Sequence, residues 1–258
     1  MIRFCNLYSG SSGNSTFIEY NDTKILIDAG VSCQKIIKAL AELGVTLDQI
    51  DGIIISHEHS DHTKGLTTIC KKFNTQIYAT QKTWSQMQLL KLPDYNHVVF
   101  TPDEKFNIGE IEIHPFSIPH DAVEPCAFNV FAGEKKFTVA TDIGHITNEI
   151  YSNLVGSDVL LIESNYDPNT LVCGHYPYFL KKRIASDVGH LSNETASKTI
   201  KRLYEEADVH NIILGHLSCE NNFPELAYQT VVNEFGYMPE NLKLSIAARD
   251  KIDDALIF

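Results

Sequence analysis

No stretch of the 258-residue chain approaches the roughly 20 consecutive apolar residues needed to cross a bilayer, which excludes a membrane-spanning helix. Nor does Met1-Ile2-Arg3-Phe4-Cys5 carry the apolar core of a secretion signal; it reads as a strand entering a fold. Cysteine pairs at C-x-x-C spacing are missing. Cys5, Cys33, Cys70, Cys126, Cys173 and Cys219 are scattered, which predicts free, mostly buried thiols in a reducing, cytoplasmic compartment. No thiol is assigned chemistry. Basic residues are in short supply: 21 Lys and Arg against 33 Asp and Glu leave a net charge of −12. That balance removes any global attraction for nucleic acid or anionic lipid, but not the local charge of an enzyme that touches a few phosphates. No Pro/Ser-rich linker, low-complexity tract or internal repeat divides the chain, so a single domain over 1–258 is expected.

Histidine, by contrast, is concentrated. Residues 57–62 read His-Glu-His-Ser-Asp-His and follow the apolar run Gly52-Ile53-Ile54-Ile55. The cluster therefore sits where a buried strand ends. His57 and His59, two apart, project the same way from an extended segment and can grip one cation. Asp61 and His62, past the turn, can reach a second. Three imidazoles and a carboxylate suit zinc, manganese or another borderline divalent metal. Glu58 alternates to the other side and is expected near the site rather than on the metal.

Strand-like runs cover Ile2–Leu7, Ser15–Tyr20, Lys24–Asp28 and Ile53–Ser56, with a tight hairpin at Asn21-Asp22. A helix starts at the N-cap Ser32, carries Ile36, Ile37, Leu40 and Leu43 on one face, and ends at Gly44. Helical patterns follow at Thr63–Lys72 and Gln81–Leu90, around a strand at Gln76–Ala79. The middle is β-rich: His97–Phe100, Ile111–Ile118, Ala127–Ala132 and Lys136–Thr141. Strands Val159–Ile162 and Asn211–Leu214 then alternate with helices Asn193–Ala207 and Glu225–Phe235. Two β-rich halves, each followed by helices, predict two sheets packed face to face with helices outside. Trp84 is read as packing.

Three further metal-ligand side chains stand at strand ends. His120 closes Ile111–Ile118, Asp142 follows Phe137–Thr141, and His216 follows Ile212-Ile213-Leu214-Gly215. Each alone could be a core histidine or a turn. Together with His57-Glu58-His59-Ser60-Asp61-His62 and the strand Lys24-Ile25-Leu26-Ile27-Asp28-Ala29-Gly30, their order resembles the metallo-β-lactamase superfamily and its H-x-H-x-D-H signature. The resemblance implies an α+β, four-layer αββα sandwich with two divalent metal ions, Zn or Mn, at one edge. It places His57, His59 and His120 on the first metal, Asp61, His62 and His216 on the second, and Asp142 between them. Asp28 would orient a ligand histidine through its ring N–H, and Gly30 would serve the turn alone.

Ser9-Gly10-Ser11-Ser12-Gly13-Asn14-Ser15, Glu163-Ser164-Asn165, Gly189-His190-Leu191-Ser192-Asn193 and His216-Leu217-Ser218-Cys219-Glu220-Asn221-Asn222 narrow the resemblance to the bacterial YycJ/WalJ subfamily. That implies a cytoplasmic 5′-to-3′ exonuclease acting on DNA. Asp61 would orient the attacking water, His190 would hydrogen-bond a nonbridging phosphate oxygen or protonate the departing oxygen, and Glu163 would hold the His190 imidazole. Asn14 and Ser15 are candidate phosphate contacts. Lys181, Lys182 and Arg183, beside Tyr176-Pro177-Tyr178-Phe179, suit a single or end-exposed strand whose bases stack while its phosphates pair; a solvated helix start over a core-packed Phe179 has the same composition. No membrane and no obligate protein partner is implied. Hydrolysis of a thioester, lactone or cyclic phosphodiester by the same metals, or a noncatalytic regulatory role, stays open at this point.

Overall fold

Single strands of this chain are apolar on both faces, with alternate residues serving different cores. In β1 (Ile2–Tyr8), Ile2 and Phe4 enter one cluster while Cys5 and Leu7 enter another. β3 (Thr23–Ile27) sends Ile25 and Ile27 one way and Leu26 the other. Such strands are stable only as inner layers, with a sheet on one side and helices on the other. A computed structural model describes residues 1–258, the side chains of Leu89 and Tyr95 excepted, and shows this arrangement.

The first sheet joins β1, β2 (Ser15–Tyr20), β3, β4 (Gly52–Ile54), β5 (Gln76–Thr80) and β6 (His97–Phe100), with the C-terminal β14 (Leu256–Ile257) on its edge beside β1. The second runs in chain order from β7 (Phe106–Ile108) through β8 (Ile111–Ser117), β9 (Cys126–Ala132), β10 (Lys135–Ala140), β11 (Val159–Glu163) and β12 (Asn211–Gly215) to β13 (Lys243–Ile246). Each sheet starts antiparallel and turns parallel, from β3 in the first and from β10 in the second.

Phe4, Ile25, Ile27 and Ile54 meet Phe128, Val130, Phe137 and Leu161 between the sheets, where the Phe4 and Phe137 rings stack at 5.6 Å. Outside the first sheet lie α1 (Cys33–Glu42), α3 (Leu66–Lys72) and α4 (Gln81–Met87), which bury Ile36, Leu40, Leu66, Ile69 and Trp84. Outside the second lie α5 (Asn148–Leu154), α8 (Asn193–Ala207) and α9 (Pro224–Phe235). The fold is thus the expected αββα sandwich. No helix among the described residues is long and apolar enough to cross a membrane.

Three local expectations change. The helix expected over Thr63–Lys72 is two pieces, α2 (Ser60–Thr63) and α3, because Gly65 turns to give its N–H to Ala29 O at 2.8 Å. The Gln81–Leu90 pattern is α4 followed by a 3₁₀ turn that ends at left-handed Lys91. β4 stops at Ile54 rather than Ser56, since Ser56 gives its N–H to the Asp28 carboxylate. Two short helices, α6 (Pro168–Cys173) and α7 (Tyr178–Ile184), fill the segment before His190.

Candidate metal centre

Parallel strands end abruptly on one side of the sandwich, and the chain must turn sharply there. Asp28 follows β3, Asp142 lies just past β10, and His216 follows β12; all three have left-handed backbones, at φ 63°, 60° and 54°. Non-glycine residues hold that conformation at a cost of about 1–3 kcal/mol each, sustained only where the surroundings fix them. The turns throw these polar side chains inward, past the carboxyl ends of the strands, where ligand sites of layered sheets form.

The ligand-capable atoms of His57, His59 and His120 lie within 4.8 Å of one another, and so do those of Asp61, His62 and His216. Asp142 reaches both sets: its Oδ2 is 3.2 Å from His62 Nε2, while its Oδ1 is 3.5 Å from His216 Nε2 and 3.8 Å from His120 Nε2. Asp61 Oδ2 lies 3.5 Å from His62 Nε2 and 3.6 Å from His216 Nε2. All seven side chains named from the sequence therefore converge.

Their chemistry fits cations. His57 Nε2, His120 Nε2, His216 Nε2 and Asp142 Oδ2 are buried and make no well-aligned hydrogen bond, the 3.2 Å approach of Asp142 Oδ2 to His62 Nε2 included. An unpartnered buried polar atom costs about 1–3 kcal/mol, and four aimed into one space need an occupant. Burial pushes the His57 and His120 imidazoles below their usual pKa, so both present neutral nitrogens. Burial likewise opposes charge on His216, but the Asp142, Asp61 and Glu163 carboxylates overcome it and hold the ring pKa up at about 10. Burial raises the Asp142 carboxyl, yet His216 and His62 pull it well below the ordinary range. A cation would replace the protons on those rings.

A second layer of hydrogen bonds aims the rings. Asp28, expected to orient a ligand histidine, has its Oδ2 2.7 Å from Nδ1 of His62, one of the candidate ligands. Ser56, which sequence reading missed, sits between: its hydroxyl is 2.9 Å from Asp28 Oδ2, 3.0 Å from His57 Nδ1 and 3.1 Å from His62 Nδ1. Gly189 O accepts from His120 Nδ1 at 3.1 Å, and the Asn165 amide donates to His216 O at 2.8 Å. Glu58 Oε1 accepts from Val123 N at 2.9 Å, tying the histidine loop to the loop that carries His120. For Ser56 itself the chain offers no signal beyond a serine directly before H-x-H.

Glu163 does more than hold one ring. Its Oε1 is 2.8 Å from both His190 Nδ1 and His216 Nδ1, and its Oε2 accepts from Ile143 N and Leu191 N at 2.9 and 3.0 Å. Burial raises this carboxyl, but His190 and His216 bring it down to about 2. His190 Nδ1 lies 3.7 Å from Asp142 Oδ1, and its ring keeps partial solvent access.

The proposed substrate contacts fare unevenly. Ser15 is buried and donates to Asp28 O at 2.9 Å, so it faces no substrate. Asn14 is also turned inward: its Oδ1 accepts from Gly10 N at 2.9 Å and its Nδ2 lies 3.2 Å from His62 Nε2. Lys181 Nζ donates to Val172 O and Gly174 O at 2.6 and 2.7 Å, capping α6. Arg183 pairs with Asp121, whose Oδ1 is 3.4 Å from His120 Nε2. Lys182 is exposed. Phe179 and Tyr178 are 74% and 80% exposed, so Phe179 is not a core residue. Gly30 also differs from expectation. A Cβ there would lie 1.6 Å from Asp61 O and 2.6 Å from Asn14 N, so glycine admits the histidine loop rather than serving a turn alone.

Fold and site together define a metallo-β-lactamase-type hydrolase. The model of the beta-lactamase superfamily domain matches residues 23–216. The chain is 39% identical over 236 residues to the exodeoxyribonuclease WalJ of Streptococcus pneumoniae serotype 2, covering 90% of this chain and 87% of that one. It is 34% identical over 232 residues to the exodeoxyribonuclease YycJ of Bacillus anthracis, covering 89% and 88%. The chain belongs to the beta-lactamase superfamily and, within it, to the WalJ/YycJ family. Among solved structures, Zn²⁺-bound PqqB from Methylobacterium extorquens superposes with a TM-score of 0.76 at 15% identity, over 98% of this chain and all of that one. YhfI from Bacillus subtilis superposes at 0.71 and 16%, with the same coverage.

Proposed function

We propose that this protein is a metal-dependent exonuclease that removes nucleotides from DNA, with the whole chain acting as one catalytic domain. The observation that carries the reading is the convergence of two ligand triads and a shared aspartate beside a histidine whose Nδ1 is held by Glu163. The similarity to the exodeoxyribonucleases WalJ and YycJ supports DNA as the substrate class, and the 5′-to-3′ polarity proposed here rests on the resemblance of the sequence motifs alone.

His57, His59 and His120 would hold one cation, and Asp61, His62 and His216 a second, with Asp142 between them. The imidazole-rich donor set suits zinc or manganese. Two such ions would supply hydroxide at neutral pH and offset charge on the phosphodiester. Asp61, partly exposed, orients the attacking water and takes its proton. The water oxygen bonds to phosphorus as the bond to the leaving oxygen breaks. His190, charged and held by Glu163 through Nδ1, gives the proton on Nε2 to that oxygen. Lys182 and the exposed rings of Tyr178 and Phe179 support a single or end-exposed strand as substrate. Six unpaired cysteines support a reducing compartment, the cytoplasm.

End-labelled DNA incubated with Mn²⁺ or Zn²⁺ tests the reading. Shortening from the 5′ end, abolished in Asp61→Ala with the fold intact, is expected. Unchanged cleavage by that variant removes the mechanism.

A further inference from the structure

A cavity of about 510 Å³ adjoins the segment that carries His216 and plays no part in the mechanism above. Ser9, Leu217, Phe223 and Arg249 are among the residues that line it. Two contacts tie it to the site: His216 N donates to Ser9 Oγ at 2.8 Å, and Leu217, the next residue, accepts from Arg249 Nη2 through its carbonyl at 2.9 Å. Gly10, at φ 140°, closes over the guanidinium; a Cβ there would lie 3.3 Å from Leu217 O and 3.5 Å from Arg249 Nε.

Arg249 differs from the other cations near the centre. Arg183 is paired with Asp121, and Lys181 is spent on carbonyls. Among the described residues no carboxylate pairs with Arg249, and its neighbour Asp250 instead faces Lys35 Nζ at 3.8 Å. With 33 acidic against 21 basic residues in the chain, carboxylates are plentiful, yet this guanidinium meets one carbonyl. Most of its five N–H donors remain for an anion, in the fork geometry that matches phosphate. Phe223, 51% exposed on the same wall, offers a ring face to a base. The volume falls in the range of about 300–1,000 Å³ that small-ligand pockets occupy.

We propose that this cavity is a nucleotide subsite in which Arg249 binds a phosphate of the DNA other than the scissile one, with Phe223 against the adjoining base. The assignment rests on the nuclease reading and adds the element that would place the scissile bond relative to the strand. The phosphate is either the 5′-terminal group or an internal one.

Two measurements on the metal-loaded protein test it. In the Asp61→Ala background, which stops turnover, fluorescence anisotropy compares binding of a short single-stranded oligonucleotide with and without Arg249→Met. Binding about ten-fold weaker in Arg249→Met is expected, with an intermediate loss in Arg249→Lys and a matching loss in Phe223→Ala. Equal affinities across these variants overturn the subsite. In the active background, KM and kcat on 5′-phosphorylated and 5′-hydroxyl oligonucleotides locate the phosphate. A KM rise confined to phosphorylated ends identifies the terminal group, and a rise on both identifies an internal one. No rise on either rejects the subsite while the nuclease reading stands. Loss of binding in Arg249→Met, with no cleavage of any DNA by the parent protein, rejects the nuclease reading and leaves the subsite. Phe223→Ala keeps the test available if Arg249→Met misfolds.

Discussion

Glu163 Oε1 lies 2.8 Å from His216 Nδ1, so the carboxylate that holds the candidate general acid also fixes the ring of a candidate metal ligand. One buried group thus couples the proton donor to the metal position. Glu163→Gln keeps the shape but loses the charge. It is expected to weaken metal affinity about 10- to 100-fold, as removal of a ligand-orienting partner does, and to depress cleavage further by misplacing His190. Competition with a chromogenic chelator reads the first effect and end-labelled DNA the second. Unchanged metal affinity would limit Glu163 to His190.

The pH dependence follows from the same pair. Burial disfavours charge on His190, but the Glu163 carboxylate outweighs it and lifts the pKa above its ordinary 6.5. The acid form therefore persists through neutral pH and is lost as pH rises through that raised value. At saturating metal, kcat is expected to fall on the alkaline side with an apparent pKa above 6.5. His190→Gln should lower kcat by about 10²- to 10⁴-fold and abolish that limb. An alkaline limb that survives in the variant assigns the proton to another group.

Removal of metal should soften the whole edge of the sandwich. Without cations, four buried polar atoms face one another unpartnered. Chelation is expected to lower the thermal midpoint, and added Zn²⁺ to raise it with the logarithm of free metal. A midpoint indifferent to chelator and zinc contradicts a folded-state metal centre.

Gly30→Ala tests the packing of the histidine loop without replacing a ligand side chain. A methyl 1.6 Å from Asp61 O cannot be accommodated without moving the loop backbone. A stability loss of about 3 kcal/mol is expected, read from urea unfolding, together with weaker metal binding. A neutral substitution would show that the loop shifts freely.

The exposed rings of α7 should matter for substrate and not for folding. Tyr178→Ala and Phe179→Ala remove 80% and 74% exposed side chains, so the melting temperature should stay within a degree or two. If bases stack there, KM for single-stranded DNA should rise about five-fold or more per ring, on the scale of about 1–3 kcal/mol per base. Unchanged KM would place the strand elsewhere.

Much of the centre is legible in the chain because ligands sit at the ends of recognisable strands. Runs such as Gly52–Ile55 and Ile212–Gly215 announce buried strands, and the polar residue after each has few places to go. Ser56 and the second duty of Glu163 were not legible. A serine hydroxyl shared by two imidazoles and a carboxylate depends on Asp28, Ser56 and His62 meeting across 34 residues of chain. Ser15 failed as a substrate contact for the opposite reason. Glycine and hydroxyl content fits a phosphate loop or a buried tight turn equally, and only burial separates them.

Alternating apolar faces in the chain pointed to two inner sheets with helices outside, and the resemblance carried by His57–His62 and the polar residues at three later strand ends named the seven side chains of the candidate metal centre. Which nitrogen each carboxylate faces, which lysine is spent on carbonyls, and that Arg249 has no acidic partner among the described residues were decided in three dimensions. Those outcomes depend on directions and distances between segments far apart in the chain, where the fold positions groups to tenths of an ångström and sequence order carries no such information.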